Sequence, residues 1–97
     1  MTKNIKFALF GNVYQEHKCS AVQSFFDIAK KRHADIAVYE PFYKFLLTIP
    51  HINLPECEVI TDRNFTADYV VCIGGDGTFV DTASKVAHKN VPIVGLN

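Results

Sequence analysis

The residues best suited to chemistry in this chain stand together at Gly74-Gly75-Asp76-Gly77-Thr78. They follow an apolar run, Tyr69-Val70-Val71-Cys72-Ile73. They precede a pattern in which Phe79, Val80, Ala83, Val86 and Ala87 share one helical face. Glycines at such a junction permit torsions that other residues resist and let a ligand approach the main chain closely. A helix beginning near Thr78 would offer unpaired N–H groups and the positive end of its dipole. A strand, a glycine-rich turn and a helix N-terminus in succession suit a phosphate.

Two common phosphate loops do not fit. No Gly-Lys-Ser/Thr triplet occurs, which excludes the P-loop. A dinucleotide fingerprint would run Gly75-x-Gly77-x-x-Gly/Ala, but position 80 is Val, so the small residue needed for close helix packing is missing. Asp76 is the informative residue. A carboxylate in a phosphate-binding loop would repel its ligand unless it binds Mg²⁺ or accepts a proton from a hydroxyl attacking phosphorus. Phosphoryl transfer uses both a carboxylate near the nucleophile and a metal on the donor phosphates. The other reading is a turn or cap aspartate beside useful glycines, and spacing alone leaves both open. Thr78 and Asp81 have capping spacing, so Asp81 reads as a cap residue rather than a metal ligand. The first basic residue after Asp76 is Lys85, so donor phosphates would need neutralising from elsewhere.

The elements that must position this loop alternate between strand and helix periods. Residues 5–10 form a mostly apolar strand ending at the turn signal Gly11-Asn12. Ser20 and Gln23 have capping-box spacing, and Val22, Phe25, Phe26 and Ala29 form an apolar stripe behind them. Lys30-Lys31-Arg32-His33 closes that helix where cations suit the dipole. Residues 36–39 form a second strand, broken by Pro41. Residues 42–49 have helical spacing at Phe42, Phe45, Leu46 and Ile49, read as core or interface, and Pro50 stops them. Residues 50–55 form a loop and 58–61 a short strand. Residues 68–73 read as a strand covered on both faces, as in a parallel sheet. The helix carrying Phe79 to Ala87 follows, then a strand over 92–96. The order β-α-β-α-β-β-α-β, with right-handed crossovers, predicts an α/β fold: a Rossmann-like parallel sheet flanked by helices. Tyr39, Tyr43 and Tyr69 read as core residues with a polar tip at the edge.

Composition narrows the function. The 97 residues carry ten Lys or Arg against ten Asp or Glu, which argues against nucleic-acid or membrane-surface partners but not against a small phosphate ligand. The opening Met1-Thr2-Lys3-Asn4-Ile5-Lys6-Phe7 lacks a signal-peptide pattern, and no run approaches the roughly 20 apolar residues of a membrane span. Cys19, Cys57 and Cys72, without Cys-x-x-Cys, read as free thiols of a cytoplasmic protein, with Cys72 a small buried hydrophobe. The four histidines (17, 33, 51 and 88) have no metal-ligand spacing. His17-Lys18-Cys19 reads as a solvated loop near the first turn. The chain stops just after its last strand, where a binding loop of an α/β sheet should begin, so a truncated protein is expected.

Gly74-Gly75-Asp76-Gly77-Thr78, after an apolar strand and before a helix, resembles the signature of the NAD kinase family. The same five residues occur in lipid kinases of the diacylglycerol and sphingosine type, and a close variant in 6-phosphofructokinases. The opening Phe7-Ala8-Leu9-Phe10-Gly11-Asn12 and the ending Val91-Pro92-Ile93-Val94-Gly95-Leu96-Asn97 are also similar to NAD kinases. Lipid kinases tend to have an Asn-Pro turn where Asn12-Val13 stands, and the early phosphate loops of phosphofructokinases are not found here. The resemblance covers nearly the whole chain. It implies the phosphofructokinase-like N-terminal domain of a two-domain enzyme, residues 1–97, whose all-β NAD-binding domain lies beyond this sequence together with the family's Asn-Glu motif. It implies transfer of the γ-phosphoryl of ATP, or of polyphosphate, to the 2′-hydroxyl of the adenosine ribose of NAD, giving NADP. Asp76 would be the catalytic proton acceptor. Gly74, Gly75, Asp76, Gly77 and Thr78 would contact the nucleotide, chiefly Gly77 through its backbone. Mg²⁺ or another divalent cation would accompany ATP. The full-length protein would be a homodimer or homotetramer, and the fragment alone inactive. The alternatives are a kinase of the same superfamily with a lipid or sugar-phosphate acceptor, and a non-catalytic nucleotide-binding module.

Overall fold

The computed structural model describes residues 4–11, 19–50, 52–62, 64–74, 82–84, 86 and 90–96. Five strands and two helices occur in the order β1 (Lys6–Gly11), α1 (Cys19–Lys31), β2 (Asp35–Tyr39), α2 (Glu40–Leu47), β3 (Glu58–Ile60), β4 (Tyr69–Ile73) and β5 (Ile93–Leu96). Thr82, Ala83, Ser84 and Val86 are also helical, within the expected helix between β4 and β5. The strands form one sheet in the order β3-β2-β1-β4-β5, and every neighbouring pair is parallel. This is the expected α/β architecture, and the strand order is that of a doubly wound nucleotide-binding half.

The central strands are packed on both faces by apolar side chains, which is why they read as unbroken apolar runs. On one face Leu9, Val38, Val71 and Ile73 join Val22, Phe26 and Ala29 of α1 and Phe42 and Leu46 of α2. On the other, Ala8, Phe10, Ala37, Ile60 and Val70 join Val86, with Phe65 and Ala67 of the β3–β4 connection against them. Cys72 is buried, as expected of a small hydrophobe.

Three local readings change. Ser20 lies inside α1, so it is not an N-cap. Gln23 is engaged elsewhere: its Nε2 donates to Asp27 (3.0 Å) and its Oε1 accepts from the Asn53 backbone N–H (2.7 Å), pinning α1 to the loop after α2. Pro41 does not separate strand from helix. It stands in the first turn of α2, where its missing N–H costs nothing and its fixed φ suits the helix, so α2 begins directly after β2. Tyr69 is 39% exposed, more than its reading as core allows.

The end of α1 follows the basic run as expected, but its cap is a histidine. His33 has φ 57°, its N–H donates to the Lys30 carbonyl (3.2 Å), and the Ala34 N–H donates to the Ala29 carbonyl (2.9 Å). These are the two hydrogen bonds of a Schellman cap, with His where glycine is usual.

Candidate functional site

The winding of the sheet reverses at one place. From β1 the chain moves outward through α1 to β2 and through α2 to β3. It then crosses to the far side of β1 for β4 and continues to β5. Crossovers on the two sides of β1 therefore run on opposite faces, and in open α/β sheets the carboxyl ends of the strands at such a reversal, here β1 and β4, are where ligands bind. Those ends are adjacent, since Phe10 pairs with Cys72 and Gly11 with Ile73. The next residue is Gly74, the first of the five candidate site residues.

Gly74 is buried and has φ 148°, a torsion that L side chains rarely adopt. Glycine is thus required at the point where the chain leaves β4. The other candidate residues, Gly75, Asp76, Gly77 and Thr78, lie outside the described residues, as does Asp81. The far side of this segment is described at Thr82. Thr82 is buried, and its Oγ1 donates to Cys72 Sγ at 3.5 Å, tying the helix after the loop back to the strand before it. Sequence reading named Cys72 only as a hydrophobe. Its sulfur as an acceptor for the returning helix shows only once strand and helix are packed.

Gly11 has a second steric role. A Cβ placed there would lie 2.5–2.7 Å from the ring carbons of Phe42, which is buried. Read from sequence, Gly11 was a turn residue. Instead it belongs to β1 and lets the first turn of α2 close over the strand end. Phe42 over Gly11 is a contact between residues far apart in the chain that no local pattern signals.

The opposite edge of the sheet differs in chemistry. Open grooves of about 410 and 490 Å³ are lined there by Lys6, Lys30, His33, Asp35, Glu56 and Glu58 among others. They sit at the amino ends of β1, β2 and β3. Ligands of open α/β sheets bind at the carboxyl ends, so the edge bearing Gly74 is the candidate site despite these openings. Cys57, half-buried beside one groove, has its thiol pKa raised by desolvation. Among the described residues no three His, Cys, Asp or Glu side chains gather to hold a metal, and no helix is long and apolar enough to cross a membrane.

Comparison with known proteins adds a family to this geometry. Residues 3–97 match the family model described as ATP-NAD kinase N-terminal domain. The chain is 41% identical over 93 residues to an NAD kinase of Bacteroides fragilis, covering 96% of the chain and 32% of that relative. It is 27% identical over 92 residues to an NAD kinase of Porphyromonas gingivalis, covering 95% and 32%. With an NAD kinase of Fusobacterium nucleatum it shares 36% identity over 63 residues, covering 64% and 22%. The chain thus spans about a third of the length of the first two relatives.

Proposed function

The chain belongs to the ATP-NAD kinase family, and from that premise we propose that the full-length protein phosphorylates NAD to NADP, with residues 1–97 as its N-terminal α/β domain and an NAD-binding all-β domain beyond. The observation that carries the reading is the place of Gly74, the first residue of Gly74-Gly75-Asp76-Gly77-Thr78. It leaves β4 beside the end of β1, at the point where the sheet reverses its winding. Asp76 is two residues beyond Gly74, and two residues of chain reach at most about 7 Å. On this reading its carboxylate would serve the same end of the sheet.

In the proposed reaction the 2′-hydroxyl oxygen of the adenosine ribose of NAD attacks the γ-phosphorus of ATP. The new O–P bond forms as the bond between the γ-phosphorus and its bridging oxygen breaks, and ADP leaves. The hydroxyl proton passes to the Asp76 carboxylate. A carboxylate of ordinary basicity is a weak base toward an alcohol. Much of its effect then comes from holding the hydroxyl in line with the phosphorus, since orientation alone can supply several kcal/mol, up to roughly 7–11. Gly75, Gly77 and the N–H groups of the following helix would receive nucleotide phosphates or hydroxyls through the backbone. Divalent cation, chiefly Mg²⁺, arrives with ATP as part of the donor. The protein acts in the cytoplasm as a homo-oligomer, and the 97-residue piece alone is inactive because it lacks the second wall of the NAD site.

The test is NADP formation from NAD, ATP and Mg²⁺ by the full-length protein beside its Asp76→Asn variant. The parent forms NADP. The variant keeps its fold and loses about 10²-fold or more of kcat. A parent inactive with both ATP and polyphosphate would move the assignment to the lipid or sugar-phosphate acceptors of related kinases. A variant as fast as the parent would reduce Asp76 to a turn residue.

A further inference from the structure

Among the described residues Thr82 is the one buried polar side chain, 2% exposed in a core that is otherwise apolar. It stands on the helix that follows the glycine segment, four residues before Val86, so the two share a helical face. That face lies against the sheet. Val86 joins Ala8, Phe10 and Val70 in one apolar cluster, and Thr82 Oγ1 donates to Cys72 Sγ at 3.5 Å.

A valine at position 82 would fill nearly the same volume with no hydroxyl to desolvate. Burying a hydroxyl is unfavourable unless it is hydrogen-bonded, and sulfur is a weak acceptor, so the bond to Cys72 adds little stability. What the hydroxyl supplies instead is direction. Apolar packing such as that of Val86 is non-directional and lets a helix slide or rotate with small loss. A hydrogen bond has a preferred length and angle, so it selects one rotation and one height. Its anchor is firmly held. Cys72 is buried in β4 with a parallel partner on each side, Phe10 of β1 and Gly95 of β5.

Thr82 comes six residues after Asp76, and Cys72 four before it. The pair therefore closes the stretch that carries the five candidate site residues, through two side chains that lie outside those five. We propose that Thr82 is a positioning residue: its hydroxyl, seated on Cys72, sets the height and rotation of the helix after the glycine segment and thereby the place of Asp76. Thr82 is buried and acts through that carboxylate, so its effect on rate rests on the phosphoryl transfer proposed above. A displacement of about 1 Å at a reacting group can cost roughly 10²-fold in rate, so a contact of small energetic weight carries a large kinetic one.

The experiment compares Thr82→Val and Thr82→Ser in the full-length protein, because packing and positioning rank them in opposite order. Valine keeps the volume and loses the hydroxyl. Serine keeps the hydroxyl and loses a buried methyl. Thr82→Val should hold its Tm within about 2 °C of the parent. Its KM values for NAD and ATP should stay within about twofold while kcat for NADP formation falls by roughly 10-fold or more. Thr82→Ser should lose a few degrees of Tm yet keep kcat within about threefold of the parent. A valine variant as fast as the parent, or a serine variant as slow as the valine one, would overturn the inference. Hydrogen exchange gives a readout apart from turnover. In Thr82→Val, peptides covering residues 74–86 should exchange several-fold faster, while those of β1 and α1 keep the parent rate. If the parent forms no NADP the proposed reaction fails, and exchange alone then decides the positioning role: an unchanged rate in the variant overturns it.

Discussion

At the carboxyl edge of the sheet the backbone is constrained by what surrounds it. Gly11 lies under the ring of Phe42, and Gly74 takes a torsion reserved for glycine. At the amino edge the same strands begin among charges. Lys6 Nζ lies 2.6 Å from Glu58 Oε2, the Lys6 N–H donates to Asp68 Oδ2 at 2.9 Å, and Asp35 and Glu56 line open grooves. The difference teaches where specificity resides in this fold. One edge is fixed by shape, in which a single added methyl is felt. The other is held by exposed polar contacts that water can replace.

The largest structural effect should come from Gly11→Ala. The new methyl would overlap a ring that is 2% exposed and has little room to withdraw, so a cost of about 1–3 kcal/mol is expected, read as a shift in the denaturation midpoint. Combining it with Phe42→Leu should restore part of the loss, because the two changes share one contact. Strict additivity in that double-mutant cycle would show that Phe42 does not close over Gly11. Next comes Gly74→Ala. A non-glycine residue at φ 148° carries strain of roughly 1–3 kcal/mol. It also displaces the segment leading to Asp76, so NADP formation should fall by more than stability does. If denaturation midpoint and turnover are both unchanged, Gly74 is not the hinge of the site.

Much of this was legible in the sequence, for identifiable reasons. β4 was readable because a strand buried on both faces leaves an uninterrupted apolar run, Val70 to Ile73. The stripe Val22, Phe26 and Ala29 was readable because helical period and burial coincide, and all three are buried. The candidate site was legible as a pattern of glycines around an acid. Its placement needed topology, since only the strand order sets Gly74 beside β1. What escaped was of two kinds. Side chains with several possible partners, such as Gln23, bond along the helix and across to a loop rather than at a local cap. Close approaches between distant residues, such as Phe42 on Gly11 and Thr82 on Cys72, leave no periodic trace. The exposure of Tyr69 belongs with these, because its local pattern is that of a covered strand.

The smallest effect is expected at the amino edge and tests the other half of the comparison. Lys6 Nζ and Glu58 Oε2 are at ion-pair distance, but the Glu58 side chain is 68% exposed and that of Lys6 20%. Solvent screens such a pair, and holding two flexible side chains together costs entropy, so its net worth is about 0.5 kcal/mol. Glu58→Gln keeps the size of the side chain and removes its charge, and should lower stability by no more than that. The loss should vanish near 1 M salt, where the screening length is about 3 Å. A cost above about 1.5 kcal/mol, or one insensitive to salt, would mean the amino edge is as tightly specified as the carboxyl edge. The contrast would then no longer mark the carboxyl edge as the functional one, and the case for the site would rest on winding and on the acid in the glycine loop alone.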